Sequence, residues 1–204
     1  MDNINILKQI GNTPLIRLKQ ASDLTGCNIY GKAEYFNPGE SIKDRAALFI
    51  VENAIKNRQI QKGGIVVEGT AGNTGIGLAI VAKAYGLSLK IVIPKTQSIE
   101  KKKILKNLGA DLIEVNAVPY TNPDNYIKQS QRIATELTGS NKNGVLWANQ
   151  FDNTVNSEAH IQTTATEIWT QTAGKIHGFT CSAGTGGTIA GVSIGLKERN
   201  KNIK

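Results

Sequence analysis

A chain of 204 residues, 40% hydrophobic and 20% charged, has the composition of a packed globular protein and not of a disordered segment. Its formal charge is +8, but aromatic residues make up only 5% and are not interleaved with the basic ones. Without a helix-turn-helix, zinc-finger or RNA-recognition signature beside it, that charge argues for an anionic small molecule and against nucleic acid.

Taken in chain order, the first marked stretch is NPGESIKDR at residues 37–45, a Pro-Gly turn followed by a helix start that carries Lys43. Residues 64–68 (GIVVE) read as a buried strand, and residues 75–86 (GIGLAIVAKAYG) as a helix ended by glycine. Residues 89–93 (LKIVI) form a strand stopped by Pro94, and residues 98–108 a helix closed by Gly109. Residues 111–115 (DLIEV) are again strand-like, and residues 122–137 carry a helical pattern. A short strand is expected at residues 144–148, a helix at 157–171, a strand at 178–182 (GFTCS) and a last helix at 188–199. Repeated β-α-β units with apolar strands specify an α/β fold, a parallel sheet with helices on its faces. Ligands of such folds sit beyond the carboxyl ends of the strands.

No apolar run is long enough to cross a bilayer, and MDNINILKQIGN has no secretory pattern, so the expected location is cytoplasmic, with no membrane partner. Cys27 and Cys181 are distant and give neither a disulfide framework nor a metal pair; Cys181, at the end of an apolar run, is expected to be buried and inert. His160 and His177 have no partner at ligand spacing, so no metal is expected. The basic run Glu100-Lys101-Lys102-Lys103 reads as an exposed helix face.

Two glycine loops follow strands. Thr70-Ala71-Gly72-Asn73-Thr74-Gly75 lets the backbone approach a ligand, offers the amides of a helix start to an anion, and adds side-chain hydrogen-bonding groups on Thr70, Asn73 and Thr74. Gly184-Thr185-Gly186-Gly187-Thr188 repeats the arrangement in a form suited to a phosphate. Neither has the lysine of a P-loop or the GxGxxG spacing. A phosphate loop, a carboxylate-sized loop and a candidate nucleophilic lysine together suggest pyridoxal phosphate, which needs a lysine for its aldehyde and donors for its phosphate.

NPGESIKDR, GNTPLIRL at 11–18, EGTAGNTGIGLA at 68–79, NQFDN at 149–153 and GTGGTIAG at 184–191 stand in order along the chain, which resembles the cysteine synthase family: the O-acetylserine sulfhydrylases and relatives that include cystathionine β-synthase. The resemblance implies two parallel-sheet sandwich domains of pyridoxal-phosphate fold type II, tryptophan synthase β-like. Residues 40–148 would form an N-terminal α/β domain with the substrate loop, and residues 1–39 plus 149–204 an incomplete cofactor-phosphate domain. Lys43 would bond the cofactor aldehyde and act as the catalytic base. Asn73 would hydrogen-bond the cofactor ring hydroxyl; Gly184, Thr185, Gly186, Gly187 and Thr188 would hold its phosphate. Thr70, Ala71, Gly72, Asn73, Thr74 and Gln150 would hold the substrate carboxylate. Asp44 and Arg45 are assigned to structure, as a helix-start charge and an ion-pairing partner.

The implied reaction is β-replacement, with an amino-acid substrate and sulfide as partners and a homodimer as the assembly. Cystathionine β-synthase or serine/threonine dehydratase chemistry is the near alternative, and an inactive remnant or binding module the alternative of another class. The sequence departs from the family where Glu40 stands in place of a second glycine, Gly69 in place of a proline and Ala71 in place of a serine. Family members also continue beyond the position of Lys204, so a C-terminally truncated chain or a fragment is expected.

Overall fold

Apolar strands with no polar face must be covered on both sides, and this dictates the architecture. The structure, a computed structural model, describes residues 5–70 and 72–204. Four strands, β3 (Ile65–Gly69), β4 (Ser88–Pro94), β5 (Asp111–Val115) and β6 (Val145–Trp147), form a parallel sheet in the order β5-β4-β3-β6. Val67 faces Lys90 on one side and Trp147 on the other. A separate antiparallel pair joins β1 (Leu15–Arg17) to β2 (Tyr30–Lys32), with α1 (Lys19–Thr25) between them.

The helices follow the expected positions. α2 (Lys43–Lys56) and α3 (Asn73–Ala84) pack closely, because a Cβ on Gly77 would stand 3.1 Å from the Asp44 Cα. α4 (Ile99–Asn107) starts at Ser98, whose hydroxyl accepts from the Lys101 amide, and it buries only Leu105, so the lysine run lies on its outer face. α5 (Tyr126–Leu137) is capped by the Asn125 side chain, which accepts from the Ile127 amide. The main core gathers Ile50, Val66, Leu78, Ile91 and Ile93 between sheet and helices; a second cluster gathers Ile168, Val192, Leu196 and Ile203.

One expectation needs correction and another gains a detail. Residues 178–182 form no strand: their backbone bonds run to the end of the chain, from the Phe179 amide to the Lys204 carbonyl at 2.9 Å. An apolar run becomes a strand only where a neighbouring ladder exists, and among the described residues none lies beside this one. The helix expected at 157–171 runs through α6 (Val155–Ala159), a π-helical turn (His160–Ala165) and α7 (Thr166–Gln171). The last helix, α8 (Gly187–Arg199), lies so close to this turn that a Cβ on Gly191 would stand 2.7 Å from the His160 Cβ. No helix among the described residues is long and apolar enough to cross a membrane.

One buried ion network ties these parts together. Arg45, 1% exposed, is held by Glu34 through Nε and Nη2, each at 2.8 Å, and by Glu167, 122 residues away, at 2.6 and 2.8 Å. Lys32 Nζ donates to the other side of Glu167 at 2.6 Å, and Thr13 Oγ1 donates to Glu34 at 2.7 Å. The Gly11 amide donates to Asn37, which in turn donates to Glu34. Burial alone would raise both carboxyls, but Arg45 overrides it: Glu34 lies below the usual range and Glu167 is held down at about 2.

Removing one partner of a buried ion pair leaves uncompensated charge. Arg45→Met is therefore expected to lower unfolding stability by about 3–5 kcal/mol in a urea titration. A loss below about 1 kcal/mol would mean that Glu34 and Glu167 find other partners, and the network would not be what anchors α2.

Candidate active site

The Pro-Gly turn puts Lys43 at the first residue of α2. Gly39 is required there: its amide donates to Asp44 Oδ2, and a Cβ would overlap the same carboxyl group. Glu40 has φ 58°, a left-handed conformation that suits the glycine it replaces and disfavours other residues by about 1 kcal/mol or more. Asp44 is fully buried and burial pushes it up to about 6, against the pull of the Gly39 amide. The half-buried Lys43 amine is pushed below the usual lysine range by desolvation, which the nearby Cys181 thiol partly opposes. Cys181 is thus half-buried beside Lys43 and not fully buried as expected from its apolar run; burial pushes its thiol up, which keeps it unreactive.

The first loop closes against a segment remote in sequence. Thr70 is buried; its amide donates to the Val92 carbonyl and its hydroxyl accepts from the Gly72 amide. Asn73 is exposed at the start of α3. Thr74 is buried and donates to Gln150 Oε1 at 2.6 Å. Ala71 lies outside the described residues. Gly69 has a packing reason to replace a larger residue: a Cβ there would stand 2.7 Å from the Ile127 Cα and the Tyr126 carbonyl of α5.

The second loop is the start of α8. Gly184 is open, Gly186 takes φ 83°, and Gly187 lies against Asn156 with no room for a side chain. The Thr185 hydroxyl accepts from the Gly187 amide, and Thr188 Oγ1 lies 3.3 Å from His160 Nε2. The other ring nitrogen of His160 meets Thr164 Oγ1 at 2.9 Å. Asn156 joins the loops, its Nδ2 donating to the Gln150 carbonyl at 2.9 Å and to Thr185 Oγ1 at 3.0 Å.

The sequence model of the pyridoxal-phosphate dependent enzymes matches residues 6–204. The chain belongs to that family. It is 53% identical over 193 residues to cysteine synthase 1 of Emericella nidulans, covering 95% of this chain and 51% of the relative. It is 40% identical over 200 residues to the O-acetylserine dependent cystathionine β-synthase of Bacillus subtilis, covering 98% of this chain and 63% of the relative. The crystal structure of cysteine synthase from Entamoeba histolytica superposes with a TM-score of 0.89 at 37% identity, covering 100% of this chain and 60% of that one. The chain spans about half the length of the fungal relatives it matches.

The residues present fit the cofactor of the family. The α8 start offers N–H groups that have no partner within the helix, and the open Gly184 and left-handed Gly186 leave a cradle for a phosphate that side chains would obstruct. Lys43, His160 and the loop are close enough for the lysine to influence the histidine. Asn156, His160 and Glu68 escaped the sequence reading. Asn156 follows the quoted NQFDN by three residues, the one local signal that could have found it. His160 was read as isolated because its partner Thr188 is 28 residues away.

Burial pushes the His160 imidazole down to about 4, and the positive charges of Arg45 and Lys43 add to the effect. The sign follows: between the ordinary 6.5 and about 4 the unfolded chain binds a proton that the folded one refuses, so stability falls as pH falls through that window. The His160 C2 proton is expected to titrate near pH 4 by NMR, and His160→Gln to remove this part of the acid sensitivity in thermal melts. A midpoint near 6.5 would show that the ring is solvated and does not support Thr188 as a neutral partner.

Proposed function

We propose that this chain carries the substrate and phosphate loops of a β-replacement enzyme that makes cysteine from O-acetylserine and sulfide. Acetate leaves the β-carbon of O-acetylserine, and sulfide takes its place. The observation that carries this reading is Lys43: a half-buried lysine at the first residue of α2, near Cys181 and His160, whose amine burial pushes below the usual lysine range. The family membership and the cysteine synthase relatives support it.

Pyridoxal phosphate, when bound, supplies an electron sink for a substrate's α-carbon. The chain's residues supply the rest. Gly184, Thr185, Gly186, Gly187 and Thr188 bind the phosphate through amides and hydroxyls. Lys43 Nζ would hold the cofactor at its aldehyde, and as a neutral amine it would take the substrate's α-proton; a desolvated amine is the stronger nucleophile at neutral pH. Thr70, Ala71, Gly72, Asn73, Thr74 and Gln150 hold the substrate carboxylate, and Asn73 also bonds the cofactor ring hydroxyl. The division into residues 40–148 and residues 1–39 plus 149–204 belongs to the same reading; the second apolar cluster, drawn from residues 165–203, supports its C-terminal part, whereas Leu7 packs into the first. A cytoplasmic location and a homodimer belong to it too; exposed Ile16, Leu18, Tyr35 and Phe36 support association.

The name of the Bacillus relative favours cystathionine synthesis as a second reading, with homocysteine in place of sulfide as the nucleophile.

Purified chain incubated with pyridoxal phosphate and reduced with borohydride is expected to carry the cofactor on the Lys43 peptide, and Lys43→Ala to abolish that label. Label on surface lysines alone, in a folded chain, would overturn the reading. Where the label is on Lys43, turnover with sulfide against homocysteine separates the two nucleophiles.

A further inference from the structure

Glu68 is used by no step above, yet it sits at the root of the first loop. It is 1% exposed, near the end of β3 and two residues before Thr70. No lysine, arginine or histidine pairs with it among the described residues, and its Oε2 has no hydrogen-bond partner. Asn149 Oδ1, on the segment packed against it, is likewise buried and unpartnered. A carboxylate in this place would be a full charge without a counter-ion; a protonated carboxyl replaces one of two orphaned acceptors with a donor.

The groups near Glu68 that oppose its burial are the Gln150 side chain and the backbone amides of Asn149 and Gln150. Asn149 takes φ 47°, a left-handed conformation. The ionisable group facing Glu68 from α5 is Tyr126, whose phenol is pushed up by burial and then by Glu68.

The Gln150 amide is held by its oxygen, which leaves its nitrogen to be oriented by what lies beside it. Its oxygen accepts from Thr74 at 2.6 Å, and its side chain lies beside the buried Glu68 carboxyl. An amide nitrogen has two N–H groups, so one remains free when Glu68 takes the other. We propose that Glu68 is a positioning residue: as an uncharged acid it accepts from Gln150 Nε2, fixes which way that amide points, and so presents the remaining N–H to the substrate carboxylate. This rests on reading residues 70–74 and Gln150 as the carboxylate site. An ionised Glu68 would keep the hydrogen bond but place negative charge behind an anion site. Burial, with the donors at Gln150 and Asn149 opposing it, pushes Glu68 up to about 8, which keeps it uncharged at neutral pH.

The test uses the full chain, 15N-labelled and loaded with pyridoxal phosphate, with O-acetylserine as the probe and Glu68→Gln as a mimic of the uncharged acid. The Gln150 side-chain amide resonance is expected to shift with pH around 8 in the wild type and to stay fixed in Glu68→Gln. Affinity for O-acetylserine is expected to fall above pH 8 in the wild type and to stay flat in Glu68→Gln. Glu68→Leu, which leaves Nε2 without its acceptor, is expected to weaken binding about tenfold at every pH, against less than about threefold for Glu68→Gln at pH 7. If O-acetylserine moves the Gln150 resonance but wild type and Glu68→Gln behave alike across the pH range, the positioning role is wrong. If the resonance titrates with Glu68 but O-acetylserine leaves it unmoved, the carboxylate-site reading fails and with it the purpose assigned to Glu68. Should Glu68→Leu not fold, the Glu68→Gln comparison alone decides.

Discussion

The Arg45 guanidinium is the interaction on which the rest of this structure depends. It sits two residues after Lys43 and is shared between Glu34 near the start of the chain and Glu167 near its end. With Lys32 the cluster holds two positive and two negative side chains, so it is neutral as a whole although almost no water reaches it. A buried cluster of this kind stands only when nearly every donor and acceptor is used, and here Thr13, Asn37 and the Gly11 and Asn12 amides take up the remainder. Its consequence is positional. The start of α2 cannot drift relative to β2, α7 or the N-terminal segment without opening several charge-assisted bonds at once.

From that fixed point the site is assembled by small approaches. Gly77 brings α3 onto Asp44, and Gly191 brings α8 onto the π turn. Asn156 bridges Gln150 and Thr185, and His160 supports Thr188. Desolvation acts in one sense throughout. It lowers Lys43 and His160 and raises Glu68 and Asp44, favouring the uncharged form of each. Charge in this region is thereby left for what binds there.

The departures from the family pattern show how much a local motif conveys. Glu40 stands in a left-handed turn that a glycine would take without strain, next to the Gly39 amide that Asp44 holds. Gly69 reads in sequence as a missing proline, but it stands under α5, where the backbone of Tyr126 and Ile127 leaves no space for a side chain. The departure at Gly69 and the position of α5 are two views of one packing choice, and only the second makes the first intelligible.

The order of strands and helices from α2 to β6, the two glycine loops and the placement of Lys43 at a helix start can be read from the chain alone. These follow from local periodicity, turn chemistry and short-range spacing, which neighbouring residues decide among themselves. Tertiary structure alone decided what those elements meet: that residues 178–182 find no ladder and stay irregular, that the helix around His160 widens into a π turn, and that Glu68, Gln150 and Asn156 stand behind the loops. Each is set by contact between segments tens of residues apart. Burial and orphaned hydrogen-bond groups are properties of such contacts, and no stretch of sequence contains them.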